Sequence, residues 1–302
     1  IAENRIYGRG SCDMKAGLSA GIFAIDILKR LNLIPNGNVQ IQSVVGEESG
    51  GCGTLSNIVH GYNADGTVIL EPTSLKICPI QSGALTFRLT INGKATHAAT
   101  RWDGVSAIEK FELLHTAIRN LERERHKSFN IQYYKNATRV APINIGTIRG
   151  GDWHSTVPEK LIAEGRIGVF PGETSKDART ALEDALYMTI KKDEWLSKEP
   201  PLLEWIEGQF ESGQTSVEHR LVKQLLECHE SVTRYKGELE GVTYGSDLRL
   251  FTNYAKIPTV LYGPGDVQLA HAVNEYVQIE HIMSAVEVIA NLIVSWCGYK
   301  KD

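Results

Sequence analysis

Residues 17–31, GLSAGIFAIDILKRL, place apolar side chains at helical spacing, and the NLIPNG that follows stops the helix at Pro35 and Gly37. Residues 38–46, NVQIQSVVG, alternate apolar and polar positions as a half-buried strand does. Residues 67–71, TVILE, form a short apolar run that predicts a buried strand delivering Glu71 at its end. The pattern changes near residue 81. ALTFRLTING (84–93) alternates, a helical pattern covers 105–124, strands are predicted near 140–148 and 160–170, a helix over 175–191, and LLEWIEGQF (202–210) closes the series. That βαββαβ order predicts an α+β domain over 81–210, inserted into an α/β domain made of 1–80 and 211–302. A helix over 216–232, the strand PTVLYG (258–263) and a last helix over 279–297 complete the outer domain. The charged run ERERHK (122–127) reads as a solvated helix end.

With 302 residues, 42% hydrophobic and 23% charged, the chain has room for two packed domains, which excludes wholesale disorder and fibrous repeats. A net charge of -4 leaves no electrostatic footprint for nucleic acid or an anionic membrane and favours a small-molecule or peptide-like substrate. No stretch reaches the roughly 18 uncharged apolar residues of a membrane span. Five cysteines without a CxxC pair predict reduced thiols and a cytoplasmic location. The opening Ile1, in a polar run, predicts a native start further upstream.

Four segments set acidic or imidazole groups beside glycines: GRGSCDMKAG (8–17), GEESGG (46–51), LEPT (70–73) and GPGDVQLAHAVNE (263–275). Carboxylates with imidazole are the donors that zinc and similar divalent ions prefer. Taken singly, Asp13 also fits a helix N-cap, Glu47 and Glu48 a solvated pair, and His271 a surface histidine. Glu71 closes an apolar strand, where an unpaired carboxylate is costly to bury.

In the order GRGxxDMK, EESGG, EPT and GPGDxxxAHxxNE, these motifs resemble the M20 metallopeptidase family of aminoacylases, acetylornithine deacetylases, succinyl-diaminopimelate desuccinylases and carboxypeptidases. The resemblance runs over nearly the whole chain. It implies a zinc-peptidase-like catalytic domain holding two zinc ions, with cobalt or manganese as substitutes, and an inserted lid domain that forms a homodimer. By motif, Asp13 resembles the carboxylate that bridges the metals, Glu47 the general base, Glu48 and His271 ligands of one zinc, and Glu71 a ligand of the other. His97, in GKATHAA, resembles the histidine that stabilises the oxyanion, and Arg249, in SDLRLF, the arginine that binds the substrate carboxylate. Ser155 stands in GGDWHSTVPE where the family commonly has asparagine, which makes its substrate contact a shorter-reaching one. A further ligand, the histidine of an HxD segment, precedes the first motif in the family and lies outside these residues. The Glu71 site then keeps Glu71 and Asp13, and the chain taken alone is expected to bind its second metal poorly and to be inactive or weakly active.

The residue types suit that chemistry on their own. A carboxylate can hold two divalent ions close together, and water between them loses its proton near neutral pH. A neighbouring glutamate can move that proton to a leaving amine. The expected reaction is hydrolysis of an N-acyl amino acid amide, as by acetylornithine deacetylase or succinyl-diaminopimelate desuccinylase. A dipeptidase or carboxypeptidase of the same family, and a non-catalytic dimerising protein on the same scaffold, are the alternatives.

Overall fold

The computed structural model describes residues 1–129 and 132–301. Its contacts divide the chain into one unit of Ile1–Gln81, Gly213–Gly241 and Ser246–Asp302, and a second of Ser82–Ser212 with Val242–Gly245. In chain order the first unit begins with β1 (Arg5–Tyr7), α1 (Ala16–Arg30), β2 (Leu33–Pro35), α2 (Cys52–Val59), β3 (Thr67–Ile69) and β4 (Ile77–Gln81). The second contains β5 (Gly83–Asn92), α3 (Ala107–Ser128), β6 (Ile143–Gly150), β7 (Lys160–Val169), α4 (Ser175–Ile190), α5 (Glu194–Lys198) and β8 (Leu202–Phe210). The chain then returns through β9 (Gly213–Gln214), α6 (Arg220–Thr233), β10 (Leu239–Val242), β11 (Thr259–Leu261), β12 (Tyr276–Gln278), α7 (Ile279–Cys297) and β13 (Tyr299–Lys301).

The first unit is built on a mixed sheet in the order β10-β4-β11-β3, with β9 also paired to β4. Strand β11 runs parallel to β3 and antiparallel to β4. On α1 the buried residues Ala20, Ala24 and Leu28 recur every fourth position, forming one face packed against α7. Helix α6 also packs against α7, and its Leu221, Val222 and Leu225 join the same core. Helix α7, 19 residues long, is apolar enough to cross a membrane by length and composition. Its Ala285, Val286, Val288 and Ile289 are buried in this core.

The second unit is a βαββαβ fold, as the periodicity predicted. Its sheet order, β6-β7-β5-β8, is antiparallel throughout. Leu85, Phe87, Leu89 and Ile91 of β5 alternate into a core closed by Leu114 and Ile118 of α3 and Leu182 of α4. Ser106 caps α3 by accepting the Glu109 N–H, and Thr174 with Asp177 forms a capping box at the start of α4.

Two local expectations fail for identifiable reasons. Residues 38–46 form no strand: among the described residues they enter no ladder, and Val39, Ile41 and Val45 lie exposed. Alternation prepares a surface for a sheet, but a strand exists only once a neighbour takes its backbone hydrogen bonds. The charged run at 122–127 is not wholly solvated either. Arg125 is buried, donating to the Gly168 carbonyl at 3.0 Å and to Glu173 Oε2 at 2.6 Å, and Glu122 Oε1 accepts the Ile143 N–H at 2.7 Å.

In the first core, His229 Nδ1 lies 2.9 Å from the buried Tyr262 hydroxyl. Burial lowers the imidazole pKa from its ordinary 6.5, so the folded state holds the ring neutral. The unfolded chain takes up that proton first, and this contribution to stability, complete above about pH 6.5, is lost as pH falls through the lowered folded value. The variant His229→Gln, which keeps a polar partner for Tyr262, should therefore lose less melting temperature than wild type between about pH 7.5 and 5. Calorimetric scans across that range test it.

Candidate metal centre

Glycine-dependent close approaches position the acidic groups. Asp13 stands in an irregular turn, Ser11–Lys15, whose Asp13–Met14 peptide is cis, immediately before α1. A Cβ on Gly17, one residue into that helix, would lie 1.9 Å from the Leu70 carbonyl oxygen. Only glycine lets the start of α1 sit on the segment carrying Glu71, two residues beyond β3. Glu47 and Glu48 ride on a tight turn closed by the Gly51 N–H donating to the Gly46 carbonyl at 2.8 Å. Gly51 has φ +75, and a Cβ there would lie 2.1 Å from Asp247 Oδ1. His271 sits in the loop after β11 with φ 59, a left-handed conformation that histidine tolerates better than most residues.

These loops bring three sequence-predicted ligands together. His271 Nε2 is 2.9 Å from Glu48 Oε1 and 3.5 Å from Asp13 Oδ2. One ligand atom from each of Asp13, Glu48 and His271 lies within 4.8 Å of the other two. Glu71 is buried. Burial pushes its carboxyl well above the usual range, and Glu47, Asp13, Asp247 and Glu48 push it further. Glu47 is pushed up to about 7 by burial and then by Asp247, Glu48 and Asp13, with Arg249 pulling the other way. Asp13 is raised by burial and by Glu48. Glu48, by accepting a hydrogen bond from the His271 ring, raises that imidazole's pKa.

Such a set is unstable as bare charge, because each carboxylate penalises the ionisation of the next. A divalent cation removes that penalty. Two carboxylates and one imidazole within reach of a single point match zinc, cobalt or manganese, and metal binding would displace the proton that Glu48 favours on His271. The residues present fit a metal.

The remaining predicted residues separate into two groups. Arg249 is buried in the first unit, with Nη1 donating to the Ser246 carbonyl at 3.0 Å and Nη2 to the Gly50 carbonyl at 2.9 Å. It thus grips the turn that carries Glu47 and Glu48. His97 and Ser155 lie in the second unit on adjacent segments: the Ala98 N–H donates to the Ser155 carbonyl at 2.9 Å, and His97 bridges to Thr156. His97 Nδ1 accepts the Ala99 N–H at 3.1 Å, so the neutral ring carries its hydrogen on Nε2 as an outward donor. Ser155 Oγ is 2.9 Å from His154 Nδ1.

Two residues escaped the sequence reading. Asp247, buried beside Gly51, accepts the Thr54 hydroxyl at 2.6 Å and is the first charged neighbour acting on Glu47. Its signal was a carboxylate inside SDLRLF next to buried apolar positions. Glu275 closes the last motif and accepts the N–H groups of Cys12 at 2.9 Å and Asp13 at 3.0 Å. Burial acts against its charge, but those amides and Arg9 outweigh it and hold the carboxyl below its ordinary range.

A sequence profile of the peptidase family M20/M25/M40 matches residues 1–295. The chain belongs to this family. As an M20 protein it is a metal-dependent hydrolase acting on linear amides, with α/β architecture combining a catalytic domain and a lid. Among its relatives, N-formyl-4-amino-5-aminomethyl-2-methylpyrimidine deformylase of Bacillus subtilis is 31% identical over 98% of this chain and 73% of the relative. Acetylornithine deacetylase of Edwardsiella ictaluri is 28% identical over 98% and 73%. Solved structures with the same fold include a tripeptidase from Staphylococcus aureus, at a TM-score of 0.76 and 21% identity over 97% of this chain and 74% of that one. An M20 metallo-carboxypeptidase from Sulfolobus solfataricus matches at 0.73 and 19% identity, over 97% and 78%.

For metal-free M20 protein the raised acid makes a signed prediction. Glu47 keeps its proton to about pH 7 when folded, against an ordinary value of 4.5, so its ionisation opposes folding increasingly as pH rises between them. In excess chelator, Glu47→Gln should melt above wild type at about pH 8 and converge with it near pH 5. Equal melting temperatures at pH 8 would contradict the burial of this charge.

Proposed function

We propose that this chain hydrolyses the amide bond of a small N-acyl amine, with Asp13, Glu48 and His271 holding one divalent ion and Asp13 with Glu71 contributing to a second. The observation that carries the reading is the convergence of Asp13, Glu48 and His271 beside two carboxyl groups whose ionisation burial opposes. Zinc, when bound, supplies Lewis acidity and makes water acidic near neutral pH. Glu47 takes a proton from the attacking water and returns it to the leaving nitrogen, the part its motif gives it. His97 offers its Nε2–H to the oxygen on which charge grows, favouring the transition state over the bound substrate. Ser155 supplies a further hydroxyl contact to the substrate.

Arg249 is where two finer readings part. An N-acyl amino acid, as in acetylornithine deacetylase or succinyl-diaminopimelate desuccinylase, needs a cation for its carboxylate, the role the motif gives Arg249. In the structure two Arg249 donors serve the Ser246 and Gly50 carbonyls. That engagement, with the 31% identity to the Bacillus deformylase, favours a substrate without a carboxylate, such as an N-formyl aminomethylpyrimidine. Dipeptides are the third class. A homodimer through the second unit belongs to the same reading, supported by its edge strand β6 and by exposed Ile108, Leu113, Tyr187 and Met188. The free thiols suit a reducing, cytoplasmic setting.

The test is turnover at saturating zinc on N-formyl-4-amino-5-aminomethyl-2-methylpyrimidine, N-acetylornithine, N-succinyl-diaminopimelate and dipeptides. We expect the formyl substrate to lead, and Glu47→Ala to lower kcat by about 100- to 10,000-fold without lowering zinc content. Preference for N-acetylornithine would restore Arg249 to the substrate carboxylate. Bound zinc without turnover of any amide would support the non-catalytic scaffold.

A further inference from the structure

Asp13 and His271 come from opposite ends of the chain, yet they meet at 3.5 Å. The strands β1 and β12 bring the two ends together antiparallel, in the register Tyr7↔Tyr276. One step further along, the Gly8 N–H donates to the Glu275 carbonyl at 2.9 Å. Beyond that rung the backbones part into the loops that carry Asp13 and His271. There the Glu275 side chain, only 2% exposed, takes over from the ladder. Its Oε1 accepts the N–H groups of Cys12 and Asp13. Its Oε2 accepts from Arg9 Nη1 at 2.9 Å, and Arg9 Nη2 reaches the Ala272 carbonyl, next to His271, at 3.4 Å.

Three donors therefore converge on one carboxylate. This is a demand that only an acceptor-only group meets. A glutamine of the same shape would turn its NH₂ either against the two backbone N–H groups or against the guanidinium, leaving buried donors unmatched whichever way it flips. The cross-brace fixes how far apart the two ligand-bearing loops stand.

Resting on the reading of Asp13, Glu48 and His271 as metal ligands, we propose that Arg9 and Glu275 are positioning residues that set the Asp13 to His271 spacing and thereby the affinity of the site for its divalent ion. Outer partners that orient ligands typically change metal affinity or activity about 10- to 100-fold when removed.

The experiment is a chelator-competition titration with zinc on the 302-residue chain and its variants, beside melting temperatures of the metal-free proteins and the visible spectrum of the cobalt forms. Glu275→Gln should bind zinc about 10- to 100-fold more weakly and shift the cobalt bands, and excess zinc should recover most of the lost turnover with KM unchanged. Arg9→Met keeps both backbone contacts to Glu275, and its exposed side chain makes it a folded comparison. It should weaken zinc by a smaller factor, and the double variant should bind no worse than Glu275→Gln. Wild-type affinity and spectrum in folded Glu275→Gln or Arg9→Met, or fully additive losses in the double variant, would overturn the proposal. Should wild type and Asp13→Asn bind zinc equally poorly, it is the reading of the metal site that falls.

Discussion

The first unit is organised around mutual repulsion among carboxylates. Asp13, Glu47, Glu48, Glu71 and Asp247 act on one another, and His271 and Arg249 are the cations set against them. Groups so arranged drift apart unless backbone holds them, and the sequence around them is spent on that restraint. Gly17 lets α1 rest on a carbonyl, Gly51 lets the glutamate turn rest on Asp247, and Arg249, two residues further along the same segment, grips that turn through the Gly50 carbonyl. The site's electrostatic tension and its glycine content are two views of one requirement.

Much of the fold could be read from periodicity because the helices bury one face each and the insert's strands alternate cleanly. Ala20, Ala24 and Leu28 mark α1, and Leu85 to Ile91 mark β5, without any knowledge of what they touch. The segment 38–46 carried the same alternation and formed no ladder, since pairing is a property of two strands. Conversely, Ile77–Gln81 became an inner strand although Pro79 interrupts it. The proline withholds a donor, yet its carbonyl still accepts the Thr215 N–H at 2.8 Å. Arg125 looked solvated because its partner, Glu173, lies far along the chain.

For the site, residue type was legible and supporting role was not. Asp13, Glu48 and His271 stood out as donors beside glycines, and the structure assembles them. Asp247 and Glu275 did not stand out, because what defines them is the set of amides and hydroxyls that tertiary structure aims at their oxygens. Sequence shows what a side chain can bind. It does not show which backbone will come to it.

The short strand β9 carries a consequence for how this architecture arose. The chain leaves the first unit at Gln81 and re-enters it at Gly213, and these two residues are partners across one antiparallel rung, with Ile80 opposite Gln214 on the next. Everything between them hangs from what is, to the sheet, the mouth of a hairpin. A segment of any length can occupy that position without altering the register of a single strand beneath it. The two units can thus diverge at different rates, although an exchanged lid would also have to match Val242–Gly245, the second stretch in which the chain joins that unit.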